Sequence, residues 1–291
     1  MRAVDRFRGK PSYFWACVRS LSQHIGYSRN GSIVVPSIEQ MSKAFCDLDL
    51  NENAIINFGE PTLLAKDLHD YFYTRALILE KYIEPNLMDA EQAKNLFGYH
   101  FERLDPSCPI PMNKQKGEKK AESYLTGLVN MIIEENTPGL NVDYDPRELT
   151  TFTGNGVPIR TLSRRVDGAF PSTKNPIAIW EIKEYYYTTT FGSRVADGVY
   201  ETLLDGMELE NLRDKEGVEV DHLLIVDARY TWWECGKSYL CRIIDMLHMG
   251  FVSEVLFGRE IIERLPLIAR EWTEKFHASA YTKQNLDRPE G

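Results

Sequence analysis

Residues 164–187, "RRVDGAFPSTKNPIAIWEIKEYYY", place an apolar run directly before charged side chains. The run "IAIW" (177–180) has the composition of a buried strand, and Glu181 and Lys183 follow it at once. Burying a carboxylate or an ammonium is costly unless the group is paired or bound to a metal. The stretch therefore predicts a buried strand that carries a charged site.

The geometry of a strand indicates which of these side chains meet. Residues i and i+2 share a face, so Glu181 and Lys183 point the same way and Ile182 points to the opposite layer. Asp167 lies on the preceding strand, and a turn of the length of "PSTKNP" (171–176) brings it alongside Glu181. Two carboxylates this close raise the pKa of one of them unless a cation lies between them. We therefore expect a cation beside Asp167 and Glu181.

Magnesium is the cation that these ligands favour. It is a hard ion that prefers oxygen ligands, keeps several waters, and is completed by one or two carboxylates and a substrate phosphate. Lys183 would orient the attacking water and stabilise the charge that develops on phosphorus. The three residues together suit the hydrolysis of a phosphodiester.

The surrounding sequence predicts an α/β fold. From residue 117 the order is a helix, three strands, a helix, a strand, a helix and a strand. The dipeptide Asn155-Gly156 favours the turn that joins antiparallel strands, and "HLLIVD" (222–227) is a buried strand reached through a crossover helix. Antiparallel hairpins combined with a crossover give a central mixed sheet flanked by helices.

The N-terminal region, residues 1–110, is predicted to be mainly helical. Ser37 followed by Gln40 is a capping-box pattern, and the segment 61–83 has apolar residues at helical spacing. The Pro-rich stretch 105–117 is typical of a boundary. We therefore expect two domains, 1–110 and 111–291.

Asp167, followed after thirteen residues by Glu181-x-Lys183 on the next strand, resembles the PD-(D/E)xK nuclease superfamily with its restriction-endonuclease-like fold. The resemblance covers residues 115–257 and includes the order of elements. It implies that Asp167 and Glu181 bind Mg²⁺, with Mn²⁺ as a substitute, together with the backbone carbonyl of Ile182. It also implies that Lys183 assists the attacking water, and that an acid of the first helix contributes, with Glu122 as the best match and Glu118 as the alternative.

The resemblance also implies a function. Within this superfamily the sequence most resembles a type II restriction endonuclease. Such an enzyme is a Mg²⁺-dependent endodeoxyribonuclease that cuts double-stranded DNA at a specific site. Region 1–110 is then a recognition or dimerisation module, a homodimer is expected because a palindrome has two-fold symmetry, and a separate methyltransferase is the expected cognate partner. The alternatives are a same-fold nuclease of repair, recombination or phage defence, and a non-catalytic DNA-binding protein of this fold.

Candidate DNA-contacting side chains surround the predicted site, because phosphate contacts come from basic and hydroxyl groups. They are Lys119, Lys120, Arg164, Arg165, Tyr185 and Arg194. The net charge of -9 argues against a uniformly basic binder, although residues 1–31 hold six basic side chains and one acid. That basic start is either a phosphate-contacting arm or a solvated terminus.

Other features exclude whole classes of function. Five scattered cysteines without a C-x-x-C pair predict neither a zinc site nor a disulfide framework. No apolar stretch has the length of a membrane span and the charged N-terminus is not a signal peptide, so a cytoplasmic protein is expected. Gly236-Lys237-Ser238 is similar to part of a phosphate-binding loop, but Trp232 and Trp233 fill the preceding loop and predict a helix start instead.

Overall fold

The computed structural model describes residues 1–115, 118–187 and 192–286, and its N-terminal part is mainly helical. The helices there are α1 (Ser12–Ile25), α2 (Ile38–Asp47), α3 (Leu63–Leu77), α4 (Glu84–Asn86) and α5 (Ala90–Leu104). Two short hairpins separate the first three helices, β1 (Ser28–Arg29) with β2 (Ser32–Ile33) and β3 (Ile56–Asn57) with β4 (Glu60–Pro61). A π-helical stretch, Ile78–Ile83, joins α3 to α4.

The predicted capping box begins α2. The Ser37 hydroxyl accepts from the Gln40 amide at 3.2 Å, and the Gln40 side chain accepts from the Ser37 amide at 2.9 Å. Asp89 and Gln92 form the same box at the start of α5. Each box satisfies backbone donors that a helix N-terminus otherwise leaves unpaired.

The rest of the described chain is mixed α/β. Its elements are β5 (Met112–Gln115), β6 (Glu118–Glu122), α6 (Tyr124–Asn136), β7 (Asp143–Tyr144), β8 (Thr151–Gly154), β9 (Val157–Thr161), β10 (Gly168–Phe170), β11 (Ala178–Glu184), α7 (Ser193–Glu216), β12 (Asp221–Asp227), α8 (Lys237–Met249), β13 (Glu254–Phe257) and α9 (Glu260–Leu286). A five-stranded sheet has the order β13-β12-β11-β10-β7. β7, β10 and β11 are antiparallel, while β11, β12 and β13 are parallel. The predicted mixed sheet flanked by helices is confirmed.

The prediction of three strands between α6 and α7 is wrong. The hairpin β8–β9 forms around Asn155-Gly156, both at positive φ, but it pairs with itself in a sheet of its own. The outer position beside β10 is taken by β7, which sequence analysis missed. A two-residue strand is too short to give a period-2 pattern, so only the tertiary pairing reveals it.

The two faces of β11 bury different layers. Trp180 and Ile182 pack in a core with α6 and α9, against residues such as Leu128 and Trp272. Ile179 lies on the opposite face and packs with Leu209 and Leu212 of α7. Glu181 and Lys183 share the face of Ile179, so they lie under α7.

The N-terminal helices are fixed to the sheet region by a buried ion pair and by shared packing. Arg75 of α3 lies 3.0 Å from Asp245 of α8, and the Tyr71 hydroxyl donates to the same carboxylate at 2.6 Å. Phe97 of α5 packs in the same core as α6. A boundary near residue 110 therefore runs between two helices that share one core.

The stretch that is similar to a phosphate-binding loop is helical. Residues Tyr230–Cys235 form a π-helical turn, and Trp232 and Trp233 are buried in the core that also contains α8. α8 begins at Lys237, as the sequence predicted. Across the described ranges, no helix combines the length and apolar character needed to cross a membrane.

Gly168 is required by the side chain directly opposite it. It pairs with Trp180 across the β10–β11 ladder, and a Cβ at position 168 would lie 2.0 Å from the Trp180 ring. The indole thus covers the glycine on the face that packs against α9. Core packing therefore requires glycine at position 168, directly after Asp167.

We predict that Gly168→Ala lowers the free energy of unfolding by about 3 kcal/mol, the upper end of the usual overpacking range. Gly98→Ala is the matched control, since Gly98 is inside α5 with no atom within 4 Å of the added Cβ, and it should be neutral or stabilising. Urea unfolding of the two variants measures the difference. Equal stability of the two variants would contradict this packing.

Candidate active site

Asp167 lies directly across from Glu181 at the start of β10. The ladder pairs Gly168 with Trp180, so the preceding residue on one strand faces the following residue on the other. The Asp167 amide donates to the Trp180 carbonyl at 3.1 Å, and its Oδ2 accepts from the Ile182 amide at 2.7 Å. The predicted juxtaposition of the two acids is thus present.

Glu181 is fully buried and is held by two cations. Its exposed fraction is 0%, and Lys183 Nζ lies 2.7 Å from its Oε2. The Arg164 guanidinium lies 2.8 Å from Oε1 and donates to Oε2 at 3.1 Å. Burial raises the pKa of Glu181, but Lys183 and Arg164 outweigh that effect, and the net shift is below its ordinary value. Glu181 is therefore ionised at neutral pH.

Helix α7 adds two acids that sequence analysis missed. Asp205 is buried, and its Oδ2 accepts from Arg164 at 2.6 Å. Glu201, one turn earlier, lies 3.4 Å from both Arg164 and Lys183. Asp205 continues the buried stripe of α7 through Val195, Val199 and Thr202, so an acid within an apolar helical stripe was the available signal.

Gly198 makes room for Lys183 beneath α7. A Cβ there would lie 3.0 Å from Lys183 Cδ and 2.9 Å from the Tyr185 hydroxyl. Burial lowers the pKa of Lys183, whereas Glu181 and Asp167 raise it more strongly, so the net pKa is above its ordinary value. Lys183 is therefore an ammonium group at neutral pH.

The cluster contains more acids than bases. Four carboxyls (Asp167, Glu181, Glu201 and Asp205) surround two cations (Arg164 and Lys183). Burial and then Glu181 raise the pKa of Asp167 to about 6. Burial raises the pKa of Asp205 to about 7, against the opposing effect of Arg164. Asp167 and Asp205 are thus the two acids of the cluster whose ionisation the surrounding protein disfavours.

An oxygen-ligand cation fits this donor set. Within the described ranges, no group of three or more His, Cys, Asp or Glu side chains is arranged to hold a metal ion. The candidate oxygen ligands at this cluster are limited to the carboxylates of Asp167 and Glu181 and the backbone carbonyl of Ile182. The Ile182 amide points toward Asp167, and the carbonyl of the same extended residue points to the same side. Mg²⁺ accepts such a small set because it keeps several waters.

The predicted first-helix acid is in the wrong place. Residues Glu118–Glu122 form β6 and pair with Met112–Gln115, so the helix begins only at Tyr124. Ladder pairing overrides the helix propensity of this charged run. Neither Glu122 nor Glu118 is therefore an acid of α6.

Glu184 takes the position at the start of α6 instead. It accepts from the amide and the hydroxyl of Thr126, both at 3.1 Å, and burial raises its pKa to about 7. Glu184 is half-buried, although the sequence alone favours a solvent-exposed side chain on the face opposite Lys183. A carboxylate at a helix N-terminus satisfies its free amides and its dipole.

A cleft of about 720 Å³ opens beside Asp167 on the α6 side of the sheet. Ser123 and Thr126 of α6 line one wall, and Tyr144 and Arg147 line another. Asp167 and Ile182 form part of its lining, and Glu181 does not. Asp167 is thus the acid through which the cluster meets this cleft.

A second groove, of about 750 Å³, lies at the opposite end of β12, near Asp221 and His222. Its cations are paired within the chain, as Lys275 is with Asp221 and Arg2 is with Glu254. Arg6 and Lys10 of the basic N-terminus are likewise paired, with Asp70 and Asp67. The basic side chains of this groove and of the N-terminus are thus engaged by acids of the same chain.

The candidate DNA-contacting residues have different environments. Arg165 and Arg194 are exposed, but Arg164 is committed to carboxylates inside the cluster. The Tyr185 hydroxyl donates to the Arg194 carbonyl at 3.1 Å. The side chains of Lys119 and Lys120 lie outside the described residues.

We predict that Asp167→Asn stabilises the metal-free protein in a pH-dependent way. Because the folded pKa of Asp167 is about 6 and the unfolded value is about 3.9, its carboxylate lowers stability as the pH rises between these values. The gain should therefore be absent near pH 4 and reach at most about 3 kcal/mol above pH 6, since one pKa unit corresponds to about 1.4 kcal/mol.

Urea unfolding in EDTA at both ends of this range measures the gain. The asparagine keeps an oxygen that accepts from the Ile182 amide, so a packing defect is not expected. A variant that is less stable than the wild type above pH 6 would contradict the cost described here for burying the Asp167 carboxylate beside Glu181.

Comparison with known proteins gives a family and no established chemistry. Residues 88–272 match the family described as Domain of unknown function (DUF7687), and residues 1–82 match Domain of unknown function (DUF7690). No curated protein and no solved structure matches the chain. The first match spans the sheet, Asp167, Glu181 and Lys183, and it covers more than half of the sequence. The chain therefore belongs to the DUF7687 family.

Proposed function

We propose that the chain is a Mg²⁺-dependent endodeoxyribonuclease with a restriction-endonuclease-like core. The observation that carries this proposal is the position of Asp167 directly across from Glu181, with Lys183 two residues further along the same face. This constellation lies in a mixed sheet whose three antiparallel strands continue into two parallel ones. The spacing of the three residues on two adjacent strands supports the PD-(D/E)xK resemblance, whereas the first-helix acid and the three-strand order that it implies are not found in the described chain.

The donor set supports a divalent cation at the cluster. Asp167, Glu181 and the Ile182 carbonyl would hold Mg²⁺, or Mn²⁺ in its place. The bound ion would neutralise the phosphate and activate a water for attack. The surplus of acids over bases favours binding of such an ion, because it would offset the burial of Asp167 and its repulsion by Glu181, which together raise the pKa of Asp167.

Arg164 has a role that the sequence did not suggest. In the metal-free protein it neutralises Glu181 and Asp205. For Glu181 to serve as a ligand, the guanidinium must release at least one of its oxygens. We assign Arg164 as the residue that keeps the acids compatible with folding until a cation takes its place, and not as a DNA contact.

Lys183 acts as a donor and not as a base in this proposal. Its raised pKa keeps Nζ protonated, so it cannot accept the proton of the attacking water. It can donate a hydrogen bond to the phosphate oxygen on which negative charge develops. Such contacts are stronger in the transition state than in the ground state, which is the requirement for catalysis.

The finer assignment rests on the resemblance. Under this assignment the protein would be a type II restriction endonuclease that acts on double-stranded DNA as a cytoplasmic homodimer. A separate methyltransferase would be its cognate partner. The exposed Arg165 and Arg194 would contact the phosphate backbone. A same-fold nuclease of repair, recombination or phage defence uses the same cluster, and cleavage into discrete fragments distinguishes the restriction enzyme from it.

One observation favours a second candidate, a non-catalytic DNA-binding protein of this fold. Both oxygens of Glu181 are engaged by cations, as in a purely structural ion-pair network. Such a network needs no metal. The two candidates therefore differ in metal-dependent cleavage and not in DNA binding.

We predict that purified protein cleaves phage DNA in Mg²⁺ or Mn²⁺ and not in EDTA. Asp167→Asn should abolish cleavage, and Lys183→Met, which retains the apolar stem, should slow it at least roughly a hundredfold, as expected for one transition-state contact. Gel analysis of the products, with DNA binding measured in Ca²⁺, separates chemistry from affinity.

Lys174→Ala is the matched control, because Lys174 is exposed on the turn that joins β10 to β11, and it should cut normally. DNA binding without cleavage in any divalent cation would support the non-catalytic candidate. Cleavage that survives in Asp167→Asn would remove this acid from the mechanism.

A further inference from the structure

Two hairpins of the N-terminal part have the same turn with different residues. Asn30-Gly31 joins β1 to β2 with φ of 52° and 84°, and Phe58-Gly59 joins β3 to β4 with φ of 50° and 84°. Positive φ at both central residues defines the type I′ turn, which favours Asn-Gly. A bulky aromatic residue in the left-handed region is strained. Phe58 is therefore an unfavourable residue for its own turn.

The strain at Phe58 is not offset by packing. Its exposed fraction is 99%, so its ring has no contact with the described chain that would stabilise it. Leu63, the first residue of α3, follows a few residues later and is 82% exposed. A fully exposed aromatic ring with a neighbouring exposed leucine is the pattern of a side chain that inserts into a partner.

The charge around the hairpin indicates the kind of partner. Segment 44–65 holds four acids and no Lys or Arg, and the acids are Asp47, Asp49, Glu52 and Glu60. All four are exposed. Such a surface repels a polyanion such as DNA and favours a protein pocket with apolar walls and a basic rim.

The chain itself carries a pocket of this chemistry. A groove of about 540 Å³ lies between α5, α6 and α9. Tyr99, Ile132, Ile262 and Pro266 contribute its apolar walls, and Arg103 and Arg270 contribute its cations. Glu135 also lines the groove and lies 3.5 Å from Arg103. Arg270 is exposed and forms no ion pair with the described part of the chain, so it provides the positive charge at the rim.

We propose that the Phe58 hairpin of one copy docks into the α5–α6–α9 groove of a second copy of this chain. Glu52 and Glu60 would then face Arg270, while Phe58 fills the apolar part of the groove. The contact joins two different surfaces, so it is heterologous and continues into a ring or a chain of copies. The contact is independent of the nuclease proposal, because it uses no residue of the Asp167–Glu181 cluster.

Sedimentation velocity over a dilution series tests this contact. The wild type should show a weight-average mass that rises with concentration through successive additions of one copy, and Phe58→Asn and Arg270→Glu should each lose these additions and keep a constant mass over the same series. A mixture of the two variants is the decisive sample, because one supplies only the groove and the other only the hairpin. It should form a one-to-one complex and nothing larger.

Phe58→Asn should melt at or above the temperature of the wild type, because asparagine suits the turn, so lost association cannot be attributed to unfolding. Tyr13→Asn is the control, since Tyr13 is another exposed aromatic (62%) on α1, and it should associate like the wild type. A wild-type mass that is constant throughout the series, variants that associate like the wild type, or a mixture with the same mass as its separate components would each overturn the proposal.

Discussion

The buried carboxylate of Glu181, held between Arg164 and Lys183, is the interaction on which the candidate site depends. It places three charges in the layer between the sheet and α7, where an unpaired charge would be strongly destabilising. Well-packed apolar residues in such positions often give equal or greater stability. Stability alone therefore gives little reason for this network, whereas the proposed cation site would give one.

The local parts of the fold could be predicted from the sequence, because each depends on neighbouring residues. The Ser37 capping box, the Asn155-Gly156 hairpin and the start of α8 at Lys237 follow from short patterns. The pairing of Asp167 with Glu181 follows from strand alternation and the length of one turn. These features needed no knowledge of distant parts of the chain.

The remainder depends on contacts between distant segments. Glu184 supplies the carboxylate at the start of α6 from a strand almost sixty residues later, and the predicted acid, Glu122, is drawn into a hairpin instead. Arg164 reads as a surface base in the sequence, but the acids of α7 place it inside the cluster. Asp205 was visible as an acid in a buried helical stripe, yet its partner was not.

The two family segments of the chain carry different proposed roles. The DUF7687 segment contains the acid cluster, the sheet and the cleft beside Asp167, and it also contains the α5–α6–α9 groove. The DUF7690 segment contains the Phe58 hairpin. The proposed chemistry therefore belongs to the DUF7687 segment. The proposed association joins the DUF7690 segment of one copy to the DUF7687 segment of another.

The central claim is that Asp167 and Glu181 are ligands of a divalent cation for which Arg164 substitutes in the metal-free protein. A crystal structure of the wild type soaked in Mn²⁺, with anomalous diffraction measured, tests it most directly. The account predicts an anomalous peak about 2 Å from oxygens of both carboxylates, with the Arg164 guanidinium moved away from Glu181. No peak at saturating Mn²⁺, with Arg164 still on both acids, would contradict it.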